Sequence, residues 1–248
     1  REAGDFEFMP FEKSGRGTDV ILHVNEENSE YLEEYKIRSV LEKYCRFMPV
    51  EIYFSVAGKP KDKSEAKDGE SEESENKEKP INDTQPLWLK NPSDCTEEEY
   101  KEFYRKVFSD YRDPLFQIHI NADYPLNFKG ILYFPKLNYE TDSLEGQVKL
   151  YYNQVFVADN IKEVIPDYML MLKGVLDCPD LPLNVSRSYL QNNGYVTRLT
   201  AHIAKKVADK ITGMKNSDRE QYEKIWNDIK IFVEYACMRD GKFYDRVK

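Results

Sequence analysis

Residues 58–79 read GKPKDKSEAKDGESEESENKEK, a run of Lys, Glu, Asp, Ser and Gly without one aromatic or large aliphatic side chain. Such a stretch has no apolar surface whose burial could offset the entropy of ordering it, so it is expected to be a disordered, highly charged linker. Any packed core must come from the residues on either side. Composition alone fits equally well two units joined flexibly and one domain carrying a solvated insertion.

Before the run, residues 18–24 (TDVILHV) and 50–56 (VEIYFSV) alternate as strands do. Between them, Tyr31, Leu32, Tyr35, Ile37, Val40, Leu41 and Tyr44 predict one or two helices. A strand-helix-strand unit this short is too small for a complete domain and reads as the tail of one. After the run, Thr96 with Glu99 forms a capping-box signature, and Tyr100, Phe103, Tyr104, Val107, Phe108 and Tyr111 follow as one apolar stripe. Residues 116–120, 128–134 and 148–157 are predicted strands, the last two central. Residues 161–176 are predicted helical, entered through Pro166. Val196, Leu199, Ile203, Val207 and Ile211 mark a long helix ending near Gly213, and a second capping box, Ser217 with Glu220, opens another. Strands followed by long helices predict a layered α/β domain.

A net charge of -9 argues against nucleic acid as a partner, because phosphates need a basic face, but it leaves room for a local basic pocket for one phosphate. No apolar run is long enough for a bilayer, and no signal segment opens the chain, so neither a membrane nor export is expected. Cys45, Cys95, Cys178 and Cys237 are scattered and read as reduced thiols of a cytoplasmic protein. His23, His119 and His202 stand apart from one another and from the cysteines, and nothing has metal-ligand spacing. There is no glycine-rich phosphate loop, no nucleophile elbow and no Cys/His or Ser/His pairing of recognisable spacing. The glycines of SGRGT at 14–18 fit either a simple hairpin turn or a backbone approach to a ligand.

The most unusual segment is CPDLPLNVSRSYLQ at 178–191. Leu181, Leu183 and Val185 can anchor this proline-punctuated loop, leaving Asn184, Ser186, Arg187 and Gln191 to project. A guanidinium presents a planar fork of donors that matches phosphate oxygens, although a solvated or structural arginine fits the same pattern. Trp88, which follows Pro86, reads as core or hinge packing, or as a contact residue.

The segments GRGT (15–18), PLW through NPSD (86–94), EEY (98–100), DPL (113–115) and LPLNVSR (181–187), in this order and with the charged run between the first two, resemble the heat-shock protein 90 chaperone family. The likeness covers nearly the whole chain. The length of the linker and YYNQ at 151–154 favour a bacterial, HtpG-type member. The resemblance implies that residues 1–57 are the end of an N-terminal ATPase domain of the fold shared with gyrase and histidine kinases (GHKL-type), here a strand-helix-strand remnant. It makes 58–83 the charged linker and 84–248 a layered α-β-α middle domain followed by long helices, truncated at its C-terminal end. Implied with it are an ATP-driven chaperone acting on unfolded client proteins, a homodimer formed through a C-terminal domain absent here, and magnesium held by the N-terminal domain. Thr18 would line the adenine side of the pocket, and Arg187 would reach the γ-phosphate when the domains dock. Gln191 would support that closed state, and Trp88 would take part in client contact and inter-domain signalling.

Two departures stand out. Where many relatives carry a paired arginine, this chain has Asn153 and Gln154, and the loop at 137–147 is short and poor in aromatics. Two other readings compete with the ATPase-chaperone: a non-catalytic client- or co-chaperone-binding module, and a different ATPase of the same nucleotide-binding fold. On the first reading the full-length protein hydrolyses ATP and this stretch alone does not.

Overall fold

The strand predicted at 128–134 is observed as β2 (Phe128–Phe134), and its alternation organises the sheet. Phe128, Leu132 and Phe134 join one apolar cluster, while Ile131 and Tyr133 join another. Successive side chains of a strand point to opposite faces, so both faces of this sheet are covered. The computed structural model describes residues 12–13, 15–56, 79–137, 147–159, 164–181 and 194–248. The charged run up to residue 78 and most of the short loop at 137–147 lie outside them. The chain forms two units, Arg1–Ser39 and Val40–Lys248.

In the second unit, five strands lie in the order β1-β2-β5-β3-β4. These are β1 (Phe116–Ala122), β2, β3 (Val148–Tyr152), β4 (Val155–Asp159) and β5 (Lys173–Asp177). All neighbours are antiparallel except β3 and β5. After α1 (Glu34–Cys45), helix α2 (Glu97–Phe108) places Tyr100, Phe103, Tyr104 and Val107 in the cluster with Ile131, Tyr133, Tyr151 and Val175. The predicted capping box is present: Glu99 N–H donates to Thr96 Oγ1, and Thr96 N–H donates to the Glu99 carboxylate. The other face packs on α3 (Gly194–Ser217), α4 (Arg219–Arg239) and α5 (Gly241–Val247).

Several expectations need correction. Residues 148–157 are not one strand but a hairpin, because Asn153 and Gln154 both adopt positive φ, as a tight two-residue turn requires. The helix predicted over 161–176 is not formed in its described part, 164–176: Pro166 precedes a single 3-10 turn, Asp167–Met169, and β5 begins at Lys173. Its apolar run is that of a strand buried on both faces, which carries no period-2 alternation. Helix α3 does not stop at Gly213, since Met214, 6% exposed, still packs on the core, and the next cap is Asp218, which accepts from Gln221 N–H, rather than Ser217.

The two early segments read as strands, 18–24 and 50–56, form none. Val20, Ile21 and Leu22 are 76–82% exposed, and no ladder partner stands beside them among the described residues. In the first unit, Asn25 caps the 3-10 stretch Glu26–Leu32, and Lys36 pairs with Glu30 at 2.7 Å.

Strands β2 and β5 approach through two glycines. A Cβ on Gly130 would lie 2.3 Å from Val175 O, and one on Gly174 would lie 2.6 Å from Leu132 Cδ2. Each glycine faces a leucine across the ladder, Leu176 and Leu132 respectively. We expect Gly130→Ala to destabilise the protein by about 1–3 kcal/mol through overpacking. Gly213→Ala, on an exposed helical position with nothing within 4 Å, should stabilise it by roughly 0.5–1 kcal/mol. Urea unfolding of the two variants measures these opposite signs.

Candidate functional site

Strand β5 runs into the segment that carries Arg187, and its last residue is Asp177. Asn82 and Asp177 are the two buried polar side chains among the described residues, at 8% and 5% exposure. A carboxylate withdrawn from water loses several kcal/mol of hydration unless donors replace it. Here Trp88 Nε1–H donates to Asp177 Oδ2 at 3.3 Å, and Gln154 N–H donates to the same oxygen at 3.0 Å. Oδ1 has no partner among the described residues. Burial therefore prevails over these bonds and holds the Asp177 carboxyl above its ordinary pKa.

The turn and the indole are themselves held. Trp88 is fully buried, edge-on to Phe47 at 4.6 Å between ring centroids and tilted against Tyr151 at 5.4 Å. Its carbonyl lies 3.4 Å from His119 Nε2, and Nδ1 of that ring lies 2.8 Å from the Tyr100 hydroxyl. The Gln154 amide, oriented so that both its ends are satisfied, donates to the carbonyls of Phe47 at 3.0 Å and Thr84 at 3.2 Å. These bonds help to offset the cost of positive φ at a residue other than glycine.

Asn82 performs the matching task on the segment before Trp88. Its Nδ2 donates to Met48 O and Val50 O at 2.9 and 2.7 Å, and its Oδ1 accepts from Ile52 N–H at 2.8 Å. With Ile81 N–H donating to Ile52 O and Asp83 N–H to Arg46 O, residues 46–52 and 81–83 are stitched together. The charged run thus leaves and re-enters one structured patch, whose anchor is Phe47 at 1% exposure.

The start of β5 is tied as firmly. Asp110 is desolvated, yet Lys173 Nζ at 2.7 Å, Arg112 Nε at 3.2 Å and the Tyr104 hydroxyl at 2.9 Å hold its carboxyl well below the usual range. Past the end of the strand, Cys178 N–H donates to Tyr151 O, Leu181 N–H donates to Cys178 O, and both side chains are buried. Burial pushes the Cys178 thiol up, as expected of an inert core cysteine.

Trp88 is therefore a core residue bonded to the strand that precedes the Arg187 segment. Thr18 is exposed and belongs to the other unit. Arg187 and Gln191 lie outside the described residues. Sequence reasoning missed Asp177, Asn82 and Phe47. The first carried a legible signal: an acid closing the apolar run GVLD, where only a buried partner would keep it. Among the described residues no group of His, Cys, Asp and Glu could hold a metal ion, and no helix is long and apolar enough to cross a membrane.

Residues 57–248 match the family described as Hsp90 protein. The chain is similar to the chaperone protein HtpG of Porphyromonas gingivalis, 46% identical over 242 residues that cover 98% of this chain and 34% of that protein. It is 45% identical over 244 residues to that of Bacteroides fragilis, covering 98% and 35%, and 35% identical over 248 residues to that of Idiomarina loihiensis, covering 98% and 39%. The chain thus spans about a third of the length of the curated relatives that it matches most closely among these.

Asp177→Ala should cost about 2–4 kcal/mol, because two buried N–H groups lose their acceptor. Asp177→Asn keeps an acceptor and removes the buried charge, so it should be close to neutral. The pH dependence has a definite sign. A folded-state pKa above the unfolded value favours the native state at low pH, and that contribution is lost as pH rises through the raised pKa. The stability difference between Asp177→Asn and the parent should therefore shift toward the variant as pH rises from about 4, the ordinary carboxylate value. Urea unfolding at several pH values reads that difference directly.

Proposed function

The chain belongs to the Hsp90 family, on its bacterial HtpG-like side, and from that membership we propose that it is the central piece of an ATP-dependent chaperone for unfolded or partly folded clients. Residues 1–57 are then the end of the N-terminal ATPase domain, 58–83 the charged linker, and 84–248 most of a layered α-β-α middle domain. The full-length protein acts as a cytoplasmic homodimer. The observation that carries this reading is the family match over residues 57–248, which includes the LPLNVSR segment leaving the end of β5.

In phosphoryl transfer, charge spreads over the equatorial oxygens of the transferred group, and a positioned cation stabilises it without any proton transfer. Arg187 supplies that cation when the middle domain docks on the nucleotide domain, and Gln191 supports the docked state. Thr18 lines the adenine side. Because half of the site arrives with a second domain, hydrolysis waits on closure. The described residues offer no group of carboxylates, histidines or cysteines that fits magnesium, which would be held by the nucleotide-binding domain. Trp88, being fully buried, takes its part in inter-domain signalling through packing on Asp177 and Phe47.

A non-catalytic client-binding reading is favoured by one observation. An apolar cleft of about 480 Å³ lies beside α4, where Ile231, Tyr235 and Met238 are 41–76% exposed.

In the full-length protein, Arg187→Ala should lower ATP turnover by a factor of about 10 or more, the scale for a lost charge clamp. Steady-state turnover and nucleotide binding, both unchanged, would rule out this role. Residues 1–248 alone should show no turnover.

A further inference from the structure

On the face of the second unit that carries α3 and α5, a cavity of about 410 Å³ collects four cations in a chain of net charge -9. Arg198 and Lys205 come from α3, two turns apart on one face of the helix, and Lys242 and Arg246 are one turn apart on α5. Most exposed cations elsewhere in α2 and α4 have carboxylate partners, such as Arg105 with Asp113, Arg219 with Glu223 and Lys224 with Glu220. Around this cavity the pattern fails. Arg246 reaches Asp209 only at 3.6 Å, and Arg198, Lys205 and Lys242 make no ion pair among the described residues.

A single acid, Asp240, stands among the lining residues, so the four cations outnumber it. Asp240 is occupied as a helix cap, accepting from Lys242 N–H at 2.9 Å and Phe243 N–H at 3.2 Å, and its other oxygen accepts from the Tyr168 hydroxyl at 2.9 Å. The cavity wall between the cations is mainly apolar, built on Leu126 and Phe243, both buried. His202 lines it as well, and its Nε2 is buried without a hydrogen-bond partner among the described residues. Burial, with Lys206 and Lys205 nearby, pushes its pKa down, so the ring is neutral at pH 7 and adds no charge of its own.

We propose that this cavity is a binding site for a small phosphate-bearing ligand with a compact apolar group, distinct from the nucleotide site that Arg187 would serve. The volume is that of a small-molecule pocket. Guanidinium forks and ammonium groups match phosphate oxygens, and two or more negative charges are needed to satisfy three unpaired cations. An apolar wall lowers the local dielectric and strengthens those contacts.

The test is titration of the full-length protein with phenyl phosphate, inorganic phosphate and benzoate, following the His202 ring resonances and the heat of binding. Phenyl phosphate should bind most tightly, since inorganic phosphate lacks the apolar group and benzoate carries a single charge. The double substitution Arg198→Ala with Lys242→Ala removes two exposed side chains that make no ion pair among the described residues, and should weaken phenyl phosphate at least about tenfold. Arg187→Ala should leave that affinity and the His202 shift unchanged. The proposal is overturned by no saturable His202 shift up to about 10 mM ligand. It is equally overturned by an undiminished affinity in the double variant, by benzoate binding as tightly as phenyl phosphate, or by loss of the shift in Arg187→Ala.

Discussion

A buried carboxylate at the end of a central strand sets the terms for the Val40–Lys248 unit. Asp177 lies where β5 meets the turn of β3 and β4, and its hydration is replaced in part by donors from the Trp88 indole and the backbone of Gln154. Either donor can serve only if its own segment is fixed. Trp88 is fixed by the aromatic contacts of Phe47, Phe103 and Tyr151, and Gln154 by the carbonyls of Phe47 and Thr84. Phe47 in turn is held in the segment that Asn82 stitches. One charged group thus recruits pieces from four stretches of chain, and its loss should be felt in all of them.

That arrangement bears on the chaperone reading. The strand that ends in Asp177 continues through the buried Cys178 and Leu181 toward Arg187. A displacement of Trp88, close in sequence to the charged run, would act on Asp177, at the end of the strand that precedes the Arg187 segment, without any solvent contact of its own. The indole is then a mechanical part, joined to the end of β5 by a single hydrogen bond across 89 residues of sequence.

Local signals in the sequence were good guides wherever the chemistry was local. The Thr96–Glu99 capping box, the aromatic stripe of α2 and the strands at 116–120 and 128–134 stand as their patterns indicate. The errors came where tertiary structure decides. An apolar run such as MLMLKGVLD carries no period that separates a doubly buried strand from a helix, and Asn153–Gln154 lacks the glycine that usually announces a tight turn. The family was legible in its segments, but the supports were opaque, because Asp177, Asn82 and Phe47 acquire meaning only from partners far away in sequence, as in the bonds of Asp177 to Gln154 and Trp88, 23 and 89 residues away. The cationic cavity was equally invisible, since α3 and α5 contribute to it from opposite ends of the helical region.

Amide hydrogen exchange on Trp88→Phe examines the link from the indole to the Arg187 segment. This substitution keeps an aromatic ring but removes the Nε1–H donor. If Asp177 couples the two, exchange at Cys178 and Leu181 should accelerate more than at Ile229 and Phe232 of α4, which report only global opening. Equal acceleration at all four, or none at Cys178 and Leu181, would show that Trp88 merely fills the core.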